Sequence, residues 1–119
     1  DRVNAGAAKG ERRALGFDYD RLALKEPPMR ILSVMAKEYR DLYHVKELSR
    51  QGYARKEIAS KAGLHPFVAG KYMDLAKRFQ SGELRKVMEE SADLEQRVKT
   101  GLMTDNLAVE LFIVKQSAS

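Results

Sequence analysis

The chain contains no cysteine, which excludes disulfide staples, thiolate zinc sites and cysteine nucleophiles together. Histidine occurs only at positions 44 and 65 of the 119 residues, well apart in sequence, so metal chemistry is not expected. No apolar run approaches the roughly 20 residues needed to cross a bilayer, and the first residues lack the apolar core of a signal peptide. A cytoplasmic protein with no membrane partner is therefore expected. Proline is confined to positions 27, 28 and 66, at the entries of apolar helical patterns rather than inside them. No strand-like alternation competes with the helical spacing.

Hydrophobic residues make up 44% of the chain and charged residues 33%, a balance suited to a helix-rich globular domain with a real core. The net charge of +5 is uneven: residues 1–30 carry +2, residues 31–86 carry +6 and residues 87–119 carry −3. A basic middle segment can meet nucleic acid or an acidic protein face. It can equally be a solvated, lysine-rich surface.

The periodicity predicts an all-α fold: one helical domain of about five to six helices spanning residues 1–119. Ala14, Leu15, Tyr19 and Leu22 mark a first apolar stripe, with Gly6, Gly10 and Gly16 weakening its early turns. After Pro27-Pro28, the residues Ile31, Leu32, Met35, Tyr39, Leu42, Tyr43, Val45 and Leu48 predict a long central helix that stops at Gly52. A short helix follows over Arg55 to Ala62, then a turn at Gly63-Leu64-His65 and a helix from Pro66 to about Phe79, broken by Ser81 and Gly82. Leu84, Val87, Met88, Ala92, Leu94 and Val98 form the next stripe, to Gly101. Thr104 or Asp105 then caps a last helix holding Leu107, Leu111, Phe112 and Val114.

Three patterns invite a chemical reading. Arg55 to Tyr72 is arranged like a helix-turn-helix unit, but a DNA-reading helix presents polar side chains early, and here those positions hold Phe67 and Val68; a packed structural pair accounts for them better. Gly63 to Tyr72, with Gly70-Lys71, imitates a phosphate loop, yet its glycine spacing is wrong, Tyr72 stands where a hydroxyl ligand belongs, and Pro66 removes a backbone donor. The carboxylates Glu89, Glu90, Asp93 and Glu95 lie along one helix without organised partners and suit a solvated face. Of the histidines, His44 fits a packing residue of the long helix. His65, held extended by Pro66, is placed to cap the helix that follows. The five methionines suit pliant packing surface rather than a cofactor box.

Several segments together resemble a known family. Lys25-Glu26-Pro27-Pro28-Met29-Arg30-Ile31-Leu32, Tyr39-Arg40 with Val45-Lys46-Glu47-Leu48, Gly63-Leu64-His65-Pro66-Phe67-Val68, Ala92-Asp93-Leu94 and Lys99-Thr100-Gly101 are similar, in order and spacing, to the C-terminal part of DNA polymerase III delta subunits. The resemblance runs from about Arg12 to the end. It implies a helical collar, the last of three domains, packing beside the collars of the other clamp-loader subunits in a pentameric ring. The two preceding AAA+-like domains, one of which engages the sliding clamp, would be absent from this chain. Where the family's first collar helix carries leucines, this sequence has Gly16, Asp18 and Arg21.

What the resemblance implies about function is positional: no catalytic residue, cofactor or metal, although the parent belongs to a nucleotidyltransferase holoenzyme. The implied partners are the delta prime and gamma/tau subunits. The sliding clamp and primed DNA would be met only through the complete complex, in the bacterial replisome at the nucleoid. Pro27, Pro28, His65, Pro66, Phe67, Asp93, Lys99, Thr100 and Gly101 are expected to be structural. The exposed parts of the long helix and of the last two helices, represented by Tyr39 and Phe112, are expected at contacts between subunits. A rival reading makes the domain a nucleic-acid binder using Lys71, Lys77 and Arg78. An enzyme is the least supported class, for want of a nucleophile, base and metal set.

Overall fold

A computed structural model describes residues 25–118 of the chain. The stripe over Ala14 to Leu22, and with it Gly6, Gly10, Gly16, Asp18 and Arg21, lies outside the described residues. Those described form five helices and no strand: α1 (Pro28–Arg50), α2 (Arg55–Ala62), α3 (Pro66–Ala76), α4 (Ser81–Lys99) and α5 (Asp105–Ala118).

α1 is the hub and packs on all four other helices. It starts at Pro28, where a missing N–H costs nothing, and the carbonyl of Pro27 accepts from the N–H groups of Arg30 and Ile31 at 3.0 and 3.2 Å. Its apolar spacing buries Ile31, Leu32, Met35, Tyr39, Leu42, Val45 and Leu48. Burying one such side chain stabilises by about 1.5–3 kcal/mol, several times any difference in helix propensity between ordinary residues. Packing therefore decides where α1 lies.

Helix ends follow from local chemistry. After α2, the Leu64 N–H reaches the Ala59 carbonyl at 2.9 Å, and after α4 the Leu102 N–H reaches that of Arg97, also at 2.9 Å. Both bonds require a left-handed residue between, supplied by Gly63 (φ +69°) and Gly101 (φ +79°), a conformation that a Cβ would strain. At the starts, Glu57 accepts from the Ala54 N–H at 3.2 Å and Glu83 from the Gln80 N–H at 2.7 Å. The second contact corrects one expectation: Ser81 and Gly82 do not break a helix but form the first turn of α4, and α3 ends at Ala76. Thr104, rather than Asp105, caps α5, its hydroxyl accepting from the Leu107 N–H at 3.2 Å.

α1 also ties down the junction between α3 and α4. Lys46 Nζ donates to the carbonyl of Ala76 at 3.0 Å, closing the end of α3, and Ser81 Oγ donates to Glu47 at 2.7 Å. In α4 the inward stripe contains Leu84, Ser91 and Leu94, with the Ser91 hydroxyl satisfied by the Met88 carbonyl at 2.8 Å. Ala92, expected on that stripe, faces outward.

Candidate functional site

Two surfaces stand out from the ordinary charged exterior. The first is on α5, which is apolar on two faces. Ala108, Val109 and Phe112 are buried against the domain's own core. Leu107, Leu111 and Val114, at i, i+4 and i+7, form a second stripe that is 44%, 39% and 60% exposed, and Leu102 in the preceding turn is 75% exposed. Single exposed leucines are common, but an aligned apolar stripe is characteristic of an interaction face.

This arrangement corrects the residues expected at a contact between subunits. Phe112 is wholly buried and Tyr39 nearly so. The Tyr39 ring stands edge-on to Phe112, with centroids 6.2 Å apart, and to Phe79, at 6.4 Å. Both residues are fully engaged inside the domain and have no surface to offer a neighbour. The outward face of α5 is built from Leu107, Leu111 and Val114 instead.

The second surface is a groove of about 520 Å³ along the outer side of α3, lined by Arg55, Phe67, Gly70, Lys71, Met73, Asp74 and Lys77. Phe67 is 68% exposed, and Lys71 Nζ lies 5.8 Å from its ring centroid. Gly70 lets Arg55 cross the helix closely, since a Cβ there would stand 3.0 Å from Arg55 Cδ. Lys77 pairs loosely with Asp74 at 3.8 Å. Of the three cations singled out in the sequence, the structure thus brings Lys71 and Lys77 together and leaves Arg78 off the groove, on the turn after α3. Arg55 was missed. Its only signal was Gly70, a helical position with no side chain to keep it away.

Of the family-pattern residues expected to be structural, all but Phe67 lie at helix ends or in a pair on α4, whereas Phe67 is 68% exposed. His65 Nδ1 accepts from the Phe67 N–H at 3.0 Å, capping α3 ahead of Pro66. Thr100 Oγ1 donates to the Gln96 carbonyl at 3.0 Å, and Lys99-Thr100-Gly101 is the closing turn of α4. Asp93 pairs with Arg97 at 2.9 Å. Pro27 and Pro28 open α1. Gly63 to Tyr72 is thus a helix end, a capped turn and a helix, with no loop of free N–H groups for phosphate.

Titratable groups outside these surfaces have plain roles. His44, expected to pack within α1, is exposed. Glu90 accepts from Lys115 at 3.4 Å and from Gln116 at 3.1 Å, tying α4 to α5, and Glu95 accepts from Ser33 at 3.4 Å. These two acids are cross-helix ties, while Glu89 is solvated. Burial, reinforced by the nearby negative charges of Glu38 and Asp41, pushes the Tyr72 phenol up to about 12, as expected when the charged form is both desolvated and repelled. Among the described residues no group of three or more His, Cys, Asp or Glu could hold a metal, and no helix is long and apolar enough to cross a membrane.

Comparison with known proteins agrees with this architecture. The family model for the C-terminal domain of the DNA polymerase III delta subunit matches residues 2–116. DNA polymerase III subunit delta of Bacillus subtilis (strain 168) is 34% identical over 102 residues, which cover 86% of this chain and 29% of that protein. The solved Bacillus subtilis DNA clamp loader delta protein superposes with a TM-score of 0.80 at 31% identity, covering 97% of this chain and 34% of the other. The chain thus spans about a third of the length of these relatives. With the fold, the helix-ending motifs and the sequence all in agreement, the chain belongs to the family formed by the C-terminal domains of DNA polymerase III delta subunits.

Proposed function

We propose that this domain is the assembly collar of a clamp-loader delta subunit, and that it acts by position rather than by chemistry. The observation that carries this reading is the second apolar face of α5. Its inner face is satisfied by Phe112, Ala108 and Val109, while the aligned Leu107, Leu111 and Val114, with Leu102 beside them, stay exposed beside the other described helices and would gain from burial against another chain. The collars of the delta prime and gamma/tau subunits supply that cover. Through this contact the collar holds subunit order while ATP-driven movements elsewhere in the loader open the sliding clamp and place it on primed DNA. Such a role belongs to the cytoplasmic replisome.

The test is light scattering after gel filtration of the chain mixed with the collar-containing subunits of its own loader. The parent chain is expected to enter the complex. A variant carrying Leu107→Glu and Val114→Glu is expected to keep its thermal midpoint and elute alone, because both residues are already solvated in the free domain. Unimpaired assembly of that folded variant would remove α5 from the interface.

A further inference from the structure

We propose that the outer face of α5 pairs with α5 of a second copy of this chain as a short, parallel, two-stranded coil, closed on both edges by Glu110 of one copy and Lys115 of the other. The pairing itself stands without the collar reading. Its consequence rests on that reading: one face cannot hold a second copy and a neighbouring subunit together, so self-pairing and entry into the loader exclude each other.

The spacing along α5 carries it. Leu107, Leu111 and Val114 are four and three residues apart, the alternation of a seam in which each apolar side chain meets a partner helix. All three are exposed, at 44%, 39% and 60%, so the seam is complete on the surface and needs no rearrangement of the core. Opposite charges border it. Glu110 precedes Leu111 and Lys115 follows Val114, and both are exposed. With the seam residues at the d, a and d positions of a heptad, Glu110 falls at g and Lys115 at e, the two places whose charges fix the partner and its direction in a coiled coil. Across a parallel twofold pair, g of one helix lies beside the following e of the other, so Glu110 meets Lys115 twice. An antiparallel twofold pair brings like edges together instead, Glu110 to Glu110 and Lys115 to Lys115.

The surroundings of the seam favour a simple, weak pair. Glu110 forms no ion pair with any described residue. Lys115 holds Glu90 at 3.4 Å with its own side chain 63% exposed, so it can turn to a second carboxylate at little cost. α5 spans 14 residues, two heptads, a length at which an isolated helix is marginal in water. Here the helix is already held by Ala108, Val109 and Phe112 on its inner side, and pairing does not have to create it. Because that inner side is occupied by the domain's own core, the outer face has room for one partner helix and not for a larger bundle. A seam this short gives a concentration-dependent contact, one that a neighbouring subunit can displace.

The experiment is sedimentation equilibrium of the chain over a wide concentration series at low and moderate salt. The parent is expected to pass from monomer to dimer as concentration rises, with salt weakening the dimer. Glu110→Lys leaves two basic edges and Lys115→Glu two acidic ones; both positions are solvated, so each variant should stay folded by circular dichroism and dimerise roughly tenfold more weakly. An equimolar mixture of the two restores opposite charges on both edges and should recover the parent's affinity, as should the double variant Glu110→Lys/Lys115→Glu. That rescue cannot come from a general effect on stability. A parent chain that stays monomeric throughout overturns the proposal. So does a dimer indifferent to both reversals, or one that neither the mixture nor the double variant restores, since α5 would then lie elsewhere or run antiparallel. Failure here is separable from failure of the collar reading. A monomeric chain that still enters the loader through Leu107 and Val114 overturns self-pairing alone, whereas a charge-dependent dimer that the other subunits leave intact keeps self-pairing and removes α5 from the collar contact.

Discussion

Replacing Phe112 with alanine tests the division of α5 into an inner and an outer face. Phe112 is fully buried and stands edge-on to Tyr39 at 6.2 Å and 85°. Removing its ring loses the transfer free energy of the phenyl group and leaves a cavity between α1 and α5 that neither helix can close without disturbing other contacts. Substitutions of this kind cost about 3–5 kcal/mol, to which the edge-to-face pair contributes about 0.5–1.5 kcal/mol. A domain of this size has about 5–15 kcal/mol in total, so Phe112→Ala consumes a large share but leaves a folded population. At about 4 °C per kcal/mol, the thermal midpoint should fall by about 12–20 °C. In urea the midpoint concentration should drop with little change in slope, since the surface exposed on unfolding is nearly the same. A double-mutant cycle with Tyr39→Ala should recover the pair energy as a coupling term. Refutation would be a Phe112→Ala protein that melts within a few degrees of the parent yet fails to join its neighbours. That outcome would return Phe112 to the interface between collars and leave α5 turned the wrong way round.

The remaining expectations are smaller. His65→Ala removes the acceptor for the Phe67 N–H and should cost about 0.5–2 kcal/mol in urea denaturation, with most of the loss recovered by His65→Asn; an unaffected midpoint would mean the cap contributes nothing. Tyr72, with its phenol held near 12 against about 10 when unfolded, binds its proton more tightly in the folded state. Its stabilising contribution is therefore complete below pH 10 and is lost as pH rises towards 12. Tyr72→Phe should flatten that alkaline loss, and an unchanged profile would show that the phenol is not perturbed.

Helix boundaries were the legible part of this chain, because they depend on residues within a turn of each other. Pro28 and Pro66 can only open a helix, and Gly52, Gly63 and Gly101 close one where a left-handed residue is required. The His65 cap was readable for the same reason, since Pro66 fixes the backbone that presents it. Ser81-Gly82 misled because serine and glycine usually interrupt a helix, whereas here Glu83, one residue further on, reaches back to the Gln80 N–H and makes them a first turn. Ser91 was missed because hydropathy sees a hydroxyl and not the Met88 carbonyl that satisfies it. The groove was half legible: Lys71 and Lys77 belong to one helix, but Arg55 arrives from α2, through a contact that depends on how the two helices cross.

The misplacement of Tyr39 and Phe112 has a more general cause. An apolar stripe records that a face must be covered and carries no mark of what covers it, so intramolecular core and intermolecular interface look alike along the chain. α5 makes the ambiguity acute because its small mean amphipathicity comes from having apolar residues on both sides, and the largest of them, Phe112, is the natural but wrong choice for a partner contact. What resolves it is the position of α1. Its four neighbours are all seated on it, and the side of α5 turned towards α1 is filled by the ring pair with Tyr39; the other side is left over. α3 also packs on α1 and makes no substantial contact with α5, so the leftover apolar face and the basic groove belong to different flanks of one hub. On the proposed reading, a partner that covers the outer face of α5 would leave Phe67 and the groove along α3 open to solvent.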